Sequence, residues 1–271
     1  LETSVSLVLK MKSRFHRTFY DFHKNIGPSR AVSLRLAALG SLLVACLCFA
    51  GEARADDSLY ELDTAGAQRT EKLPLILLLH GATGAPQSMA RLLQNLPVRA
   101  RVVAPHGLFA AGGGWAWYPM REGMTAEERV RGITKAADVL VKLLDDLLKA
   151  RPTCGRPIVV GFSQGGVVSY ALAARSPAVV AAAFPVSGYL PRPLVPTTKP
   201  ANAARIEAFH GDADEIIPVD LDRDASAALT QVGFQSSLKV YPGVGHVAVE
   251  AAAGDLIASV VRTLREMGCV K

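Results

Sequence analysis

The chain has 271 residues, half of them hydrophobic, and carries 30 Lys and Arg against 24 Asp and Glu, a formal charge of +6. The basic excess is local: residues 1–55 hold Lys10, Lys12, Arg14, Arg17, Lys24, Arg30, Arg35 and Arg54 against Glu2, Asp21 and Glu52, which leaves a net of only +1 over the rest. With no basic stripe interleaved with aromatics, that balance argues against a nucleic-acid partner, while the length and apolar content suffice for the core of an enzyme domain.

The basic N-terminal stretch leads into an uncharged run at residues 36–50, LAALGSLLVACLCFA, followed by GEARADD with Ala53 and Ala55 in an A-x-A arrangement. This run is short of the roughly 20 residues that span a bilayer but suits the apolar region of a signal peptide. Residues 1–55 are therefore expected to be a signal peptide with an N-terminal extension, cut after Ala55, placing the mature protein in the periplasm or outside the cell with no stable membrane span. An uncut anchor, or acylation of Cys46 at the lipobox-like LVAC, are the alternatives. Export leaves Cys154 and Cys269 as an even pair in a compartment where disulfides persist, so they form either one bridge or two thiols.

Residues 56–271 contain no linker, repeat or low-complexity segment and read as one catalytic domain. Six short apolar runs follow in order: 75–81 (LILLLHG), 101–107 (RVVAPHG), 157–163 (PIVVGFS), 181–188 (AAAFPVSG), 205–211 (RIEAFHG) and 237–243 (SLKVYPG). Their hydrophobicity is continuous rather than alternating, which is the pattern of parallel strands covered on both faces. Between the second and third runs, Thr125 and Glu128 form a capping box, and Ile133, Ala137, Leu140, Leu144 and Leu147 then recur on one helical face. Further helices fit residues 165–174, 221–232 and 247–267. The alternation predicts an α/β domain: a mostly parallel central sheet, helices on both faces, and no room for a large lid. Ligands of such sheets bind at the carboxyl ends of the strands, and each of these runs ends in a glycine or in Ser163.

Gly161-Phe162-Ser163-Gln164-Gly165 fits G-x-S-x-G between a strand and a helix. The flanking glycines permit an abrupt turn that lifts the Ser163 hydroxyl off the sheet and sets a helix N-terminus behind it; Gly166 lets that helix pack closely. A serine nucleophile needs a base, and the base needs an orienting acid, in the order serine, acid, histidine for this kind of turn. Only His210 and His246 follow Ser163. His246 lies in a glycine-rich loop before the last helix and is the expected base, whereas His210 precedes the acids and breaks the order. From HGDADEIIP, Asp214 is the expected acid, and Asp212 is expected to make an Asx-type turn bond. The oxyanion donors are expected from the backbone amides of Gln164 and Ala82, with Gln164 acting chiefly through its backbone, and His80 holding the loop HGATGAP by side-chain hydrogen bonds.

These motifs, LLLHG, GFSQGG, HGDADEIIP and GVGH, run in order across nearly all of residues 56–271 and resemble the phospholipase/carboxylesterase family of α/β-hydrolases. The resemblance implies the α/β-hydrolase fold, a triad of Ser163, Asp214 and His246, and an oxyanion hole at Ala82 and Gln164. It sets Trp115, Trp117 and Tyr118 at a family loop near the acyl pocket; pocket lining and plain core packing are equally open for these three. The chain departs from the family at Pro119, where an aspartate often follows the aromatic pair. The expected activity is serine carboxylesterase action on a small-molecule ester, needing no cofactor or metal. A depolymerase or feruloyl-type esterase, an acyl thioesterase or lysophospholipase, and a binding protein on a hydrolase scaffold are the alternatives.

Overall fold

The computed structural model describes residues 59–271. The segment read as a signal peptide, with its expected cleavage site at Ala55, lies outside the described residues. Seven strands form one sheet in the order β1-β3-β2-β6-β7-β8-β9. They are β1 (Leu59–Asp63), β2 (Leu75–Leu79), β3 (Arg101–Pro105), β6 (Ile158–Phe162), β7 (Ala182–Val186), β8 (Arg205–Gly211) and β9 (Ser236–Tyr241). Only β1 runs antiparallel to its neighbour; the remaining pairs are parallel, as continuous apolar runs require. A separate hairpin, β4 (Phe109–Ala111) with β5 (Gly114–Ala116), rises beyond the end of β3.

Five helices cover the sheet: α1 (Pro86–Leu93), α2 (Ala126–Ala150), α3 (Gln164–Arg175), α4 (Val219–Val232) and α5 (Ala248–Glu266). The side chains of β2 show how the layers divide. Leu75, Leu77 and Leu79 join the core under α2, α3 and α4, whereas Ile76 and Leu78 join the core under α1 and α5. Every residue of β2 is buried. The period of two sends alternate residues to opposite faces, so a strand sandwiched by helices has no polar face. This is the α/β-hydrolase architecture, and the described residues include no large lid domain.

The capping box at the start of α2 is formed: Thr125 Oγ1 accepts from the Glu128 amide at 3.1 Å, and Glu128 Oε2 accepts from the Thr125 amide at 2.9 Å. Ile133, Ala136, Ala137, Leu140, Leu144 and Leu147 form its buried stripe. Three elements escape the sequence pattern. β1 is half-buried along its length, the β4–β5 hairpin is only three residues per strand, and α1 is a two-turn helix started by Pro86. Among the described residues no helix is long and apolar enough to cross a membrane.

Cys154 and Cys269 are joined by a disulfide, with Cα atoms 5.6 Å apart. It ties the segment entering β6 to the end of α5, at the amino-terminal end of β6, the opposite end of the strand from Ser163. The bridge spans 115 residues, so it removes much conformational freedom from the unfolded chain. Replacing both cysteines by serine is expected to lower stability by about 2–4 kcal/mol, read from urea melts, while the far-UV circular dichroism spectrum at 25 °C stays native.

Candidate active site

Ser163 stands between β6 and α3 with φ +53° and ψ −117°, in backbone territory that L-residues avoid. The surroundings hold it there. Its amide donates to the Val186 carbonyl at 2.9 Å, and its carbonyl accepts from Val167 at 3.0 Å as the first turn of α3. A Cβ on Gly161 would lie 2.1 Å from the Gly165 carbonyl oxygen, and one on Gly165 would lie 2.2 Å from that of Leu79. No side chain fits in either gap. The glycines thus admit the close backbone crossing that turns the strand into the helix.

The loops after β8 and β9 bring Asp214 and His246 to this turn. His246 Nε2 lies 2.9 Å from Ser163 Oγ, and Nδ1 lies 2.8 Å and 3.0 Å from the two Asp214 oxygens. Asp214 Oδ1 also accepts the Ile216 and Ile217 amides, both at 2.8 Å. The Asx-type turn expected of Asp212 therefore belongs to Asp214. Asp212 instead accepts the Gly243 amide, tying the β8 loop to the β9 loop that carries His246. Ser187, at φ +49° after β7, donates its hydroxyl to the His246 carbonyl at 3.0 Å, and the Phe162 ring lies 5.2 Å from the imidazole. With Nδ1 donating to the carboxylate, Nε2 is left as the acceptor for the serine proton, which is the tautomer a general base requires.

The first loop lies against the same serine: a Cβ on Gly81 would be 3.3 Å from Ser163 Cβ. His80 is buried and shapes this loop, with Nδ1 on the Gly81 carbonyl at 2.7 Å and Nε2 accepting the Gly107 amide at 3.0 Å. Burial lowers its pKa and keeps it neutral, the state this pair of bonds needs. Ala82 follows directly in the loop. Gln164 opens α3, so its amide is one of those a helix leaves without an internal acceptor.

The Gln164 side chain has its own role, which reading it through the backbone alone omits. Its Oε1 accepts the Trp117 amide at 2.8 Å and its Nε2 donates to the Tyr118 carbonyl at 2.9 Å, closing the chain after β5 over the elbow. Of the three aromatics for which pocket lining was open, Trp117 and Tyr118 are buried core residues. Trp117 donates Nε1–H to the His80 carbonyl at 2.8 Å and has no exposed surface with which to touch a ligand. Trp115 stays half-buried at the rim, stacked on His106 with centroids 4.0 Å apart.

His210 breaks the expected order yet sits at the centre of a buried cluster. Nε2 is 3.1 Å from Asp214 Oδ2 and 2.8 Å from the Ile217 carbonyl, and Nδ1 is 2.8 Å from Asp222 Oδ2. Asp222 Oδ1 accepts the Tyr170 hydroxyl at 2.5 Å. Burial pulls the His210 pKa down, but Asp214 and Asp222 outweigh it and lift it to about 9. Burial likewise opposes ionisation of Asp214, yet His210 and His246 hold its carboxyl well below the usual range. Burial pushes Asp222 up. Sequence order carried no signal for Asp222, Tyr170 or Ser187, because each is recruited from a different helix or strand end.

A strand–serine–helix elbow on this sheet, with a histidine and a carboxylate converging on it, defines a serine hydrolase of the carboxylesterase and thioesterase type. The sequence profile of the phospholipase/carboxylesterase family matches residues 65–263, and the chain belongs to that family. It is 24% identical to an acyl-protein thioesterase 1 of Debaryomyces hansenii over 208 residues, 59% of this chain and 89% of that protein. A rice (Oryza sativa subsp. japonica) relative described as a probable inactive carboxylesterase is 26% identical over 137 residues, 48% of this chain and 56% of that protein. Among solved structures, that of esterase PE8 superposes with a TM-score of 0.64 at 26% identity, covering 78% of this chain and 98% of the other.

Two outcomes are expected from this geometry. Gln164→Ala leaves the Trp117 amide and the Tyr118 carbonyl unpaired in a buried site and should cost about 2–4 kcal/mol in urea melts. A histidine with a raised folded-state pKa contributes stability that is complete below its unfolded value and is lost as pH rises through the folded one. Unfolding free energy should therefore decline between pH 6.5 and about 9, and urea melts of His210→Gln across that window should show the decline flattened.

Proposed function

We propose that the protein is an exported serine carboxylesterase acting on small-molecule esters through Ser163, His246 and Asp214. The observation that carries the reading is the 2.9 Å approach of His246 Nε2 to Ser163 Oγ while Nδ1 engages Asp214. His246 takes the serine proton as Oγ attacks the ester carbonyl, and the oxyanion is received by the amides of Gln164 and Ala82. The protonated imidazole returns the proton to the departing alcohol, leaving Ser163 acylated. Water, deprotonated by His246, then attacks the acyl-enzyme, and the carboxylic acid leaves as Oγ recovers its proton. Asp214 stays ionised throughout and stabilises the imidazolium.

Two features support a site open to small or short acyl groups. Among the described residues no lid domain covers the strand ends, and Val247, next to His246, and Ile216, two residues past Asp214, are 61% and 40% exposed. A thioester is the second reading, since the Debaryomyces relative bears a thioesterase name and is matched across most of its length. Export is supported by the apolar run at residues 36–50 behind a basic stretch, and by the disulfide, which suits an oxidising compartment.

Fluorophosphonate should label Ser163, and Ser163→Ala should lose kcat/KM toward p-nitrophenyl acetate by at least about 10⁴-fold. An unlabelled serine with unchanged binding of esters would instead mean a binding protein on a hydrolase scaffold. Across p-nitrophenyl esters of rising chain length, with an acyl thioester, a feruloyl ester and a lysophospholipid alongside, kcat/KM should peak at the short chains. Turnover confined to long chains or to the thioester would replace the carboxylesterase assignment.

A further inference from the structure

His210 lies on β8 with its ring buried between two carboxylates. Nε2 faces the Ile217 carbonyl, which can only accept, so this nitrogen carries a proton; Nδ1 faces Asp222 and shares a second. Asp222 belongs to α4, and the hydroxyl that donates to it belongs to Tyr170 on α3, the helix that Ser163 opens. The contacts therefore close a ring: Ser163 to His246, His246 to Asp214, Asp214 to His210, His210 to Asp222, Asp222 to Tyr170, and back through α3 to Ser163. Each link joins a different element, so the ring sets the acid loop against the nucleophile's helix.

We propose that His210, clamped by Asp222 and Tyr170, is a positioning residue whose imidazolium pairs with Asp214 and keeps that carboxylate ionised and turned toward His246. The proposal rests on the hydrolase reading of Ser163, His246 and Asp214. Asp214 has no exposed side-chain surface, and without a cation behind it a buried carboxylate favours the neutral acid, which cannot stabilise a protonated His246. His210 retains its second proton well above the ordinary histidine range, against the pull of burial.

The groups facing His210 are Asp214 from its own loop, Asp222 from α4, Tyr170 behind it from α3, and His246 beyond Asp214. The charges that α5 presents to β8, Arg262 and Glu266, pair with Glu207 and Arg205 at the other end of the strand. On β9, Lys239 and Tyr241 engage Asp255.

Removing the His210 charge should let the Asp214–His246 pair take up a proton at higher pH, because no cation behind Asp214 then opposes it, and a proton on Asp214 leaves His246 without its stabilising carboxylate. The acid limb of the kcat/KM profile for p-nitrophenyl acetate should therefore move up by roughly 0.5–1.5 pH units in His210→Gln. Asp222→Asn keeps the shape and the Tyr170 partner while making His210 neutral, and should move the limb the same way by less. In both, kcat per fluorophosphonate-titrated site should fall about tenfold or more with KM within about twofold. A residue that only supports the fold would lower the melting temperature and the titratable fraction without moving the limb. Folded variants that keep the native limb and native kcat per titrated site overturn the proposal.

Histidine-¹⁵N spectra of the unaltered protein supply a reading that needs neither a variant nor activity. One imidazole should stay protonated at both nitrogens up to about pH 8; a spectrum in which every imidazole is singly protonated there overturns the ion pair. Absence of labelling at Ser163 in the unaltered protein would remove the hydrolase reading instead, and the spectrum tells the two failures apart.

Discussion

Ser163 holds a backbone conformation that costs energy in isolation, and much of the site depends on that constraint being maintained. The strand must stop, reverse its handedness for one residue and restart as a helix, which leaves the Gly161 and Gly165 backbones too close for any side chain. Strain of this kind, of order 1–3 kcal/mol, persists only where the surroundings over-determine it. Here β7 accepts the Ser163 amide, the Val167 amide of α3 donates to the Ser163 carbonyl, and the buried layers on both faces fix β6 in the middle of the sheet. The strain presents the hydroxyl beyond the sheet, at the N-terminus of a helix whose first amide has no internal acceptor.

Around that point the loops act as a set. Three polar side chains cross-tie them: Gln164 to the chain after β5, Ser187 to the His246 carbonyl, and Asp212 to the Gly243 amide. A loop histidine at a glycine-rich turn would otherwise sample many positions. These bonds reduce that freedom before any substrate arrives, which is what orientation contributes to a rate. Behind Asp214, His210, Asp222 and Tyr170 form a buried polar cluster, so this carboxylate meets fixed partners where an exposed one would meet water. The gain is one of placement more than of stability, since burying charged groups is costly even when they are well paired.

The catalytic-looking pattern was largely legible in the chain because its parts are local. A G-x-S-x-G between an apolar run and a helix, a histidine before the last helix and an aspartate after HG each sit at a strand end that hydrophobicity alone locates. The six parallel strands and the long capped helix follow from the same signals, although β9, at the sheet edge, has no buried residue. Less legible were the elements with weak periodicity: β1, which is half-buried, and the short β4–β5 hairpin. The aromatics after that hairpin could not be placed from the sequence either, because WAWYP reads the same in a pocket wall and in a core. Burial and the Trp117 bond to the His80 carbonyl decide for packing at Trp117 and Tyr118.

His210 shows where linear order misleads. Order along the chain excludes it as the base, and its ring nitrogens indeed meet Asp214, Asp222 and the Ile217 carbonyl, but exclusion from one role says nothing of another. What the sequence by itself determined was the set of elements, their parallel arrangement and the residues offered at the strand ends, because apolar runs, caps and glycine brackets act over a few residues. What only the tertiary structure decided was which polar groups meet across elements: Asp212 on the Gly243 amide, the Gln164 side chain over the elbow, and His210 between two carboxylates. Those contacts join positions up to 47 residues apart, and the angles and registers that bring them to hydrogen-bonding distance are set by packing of the whole sheet, which no local pattern encodes.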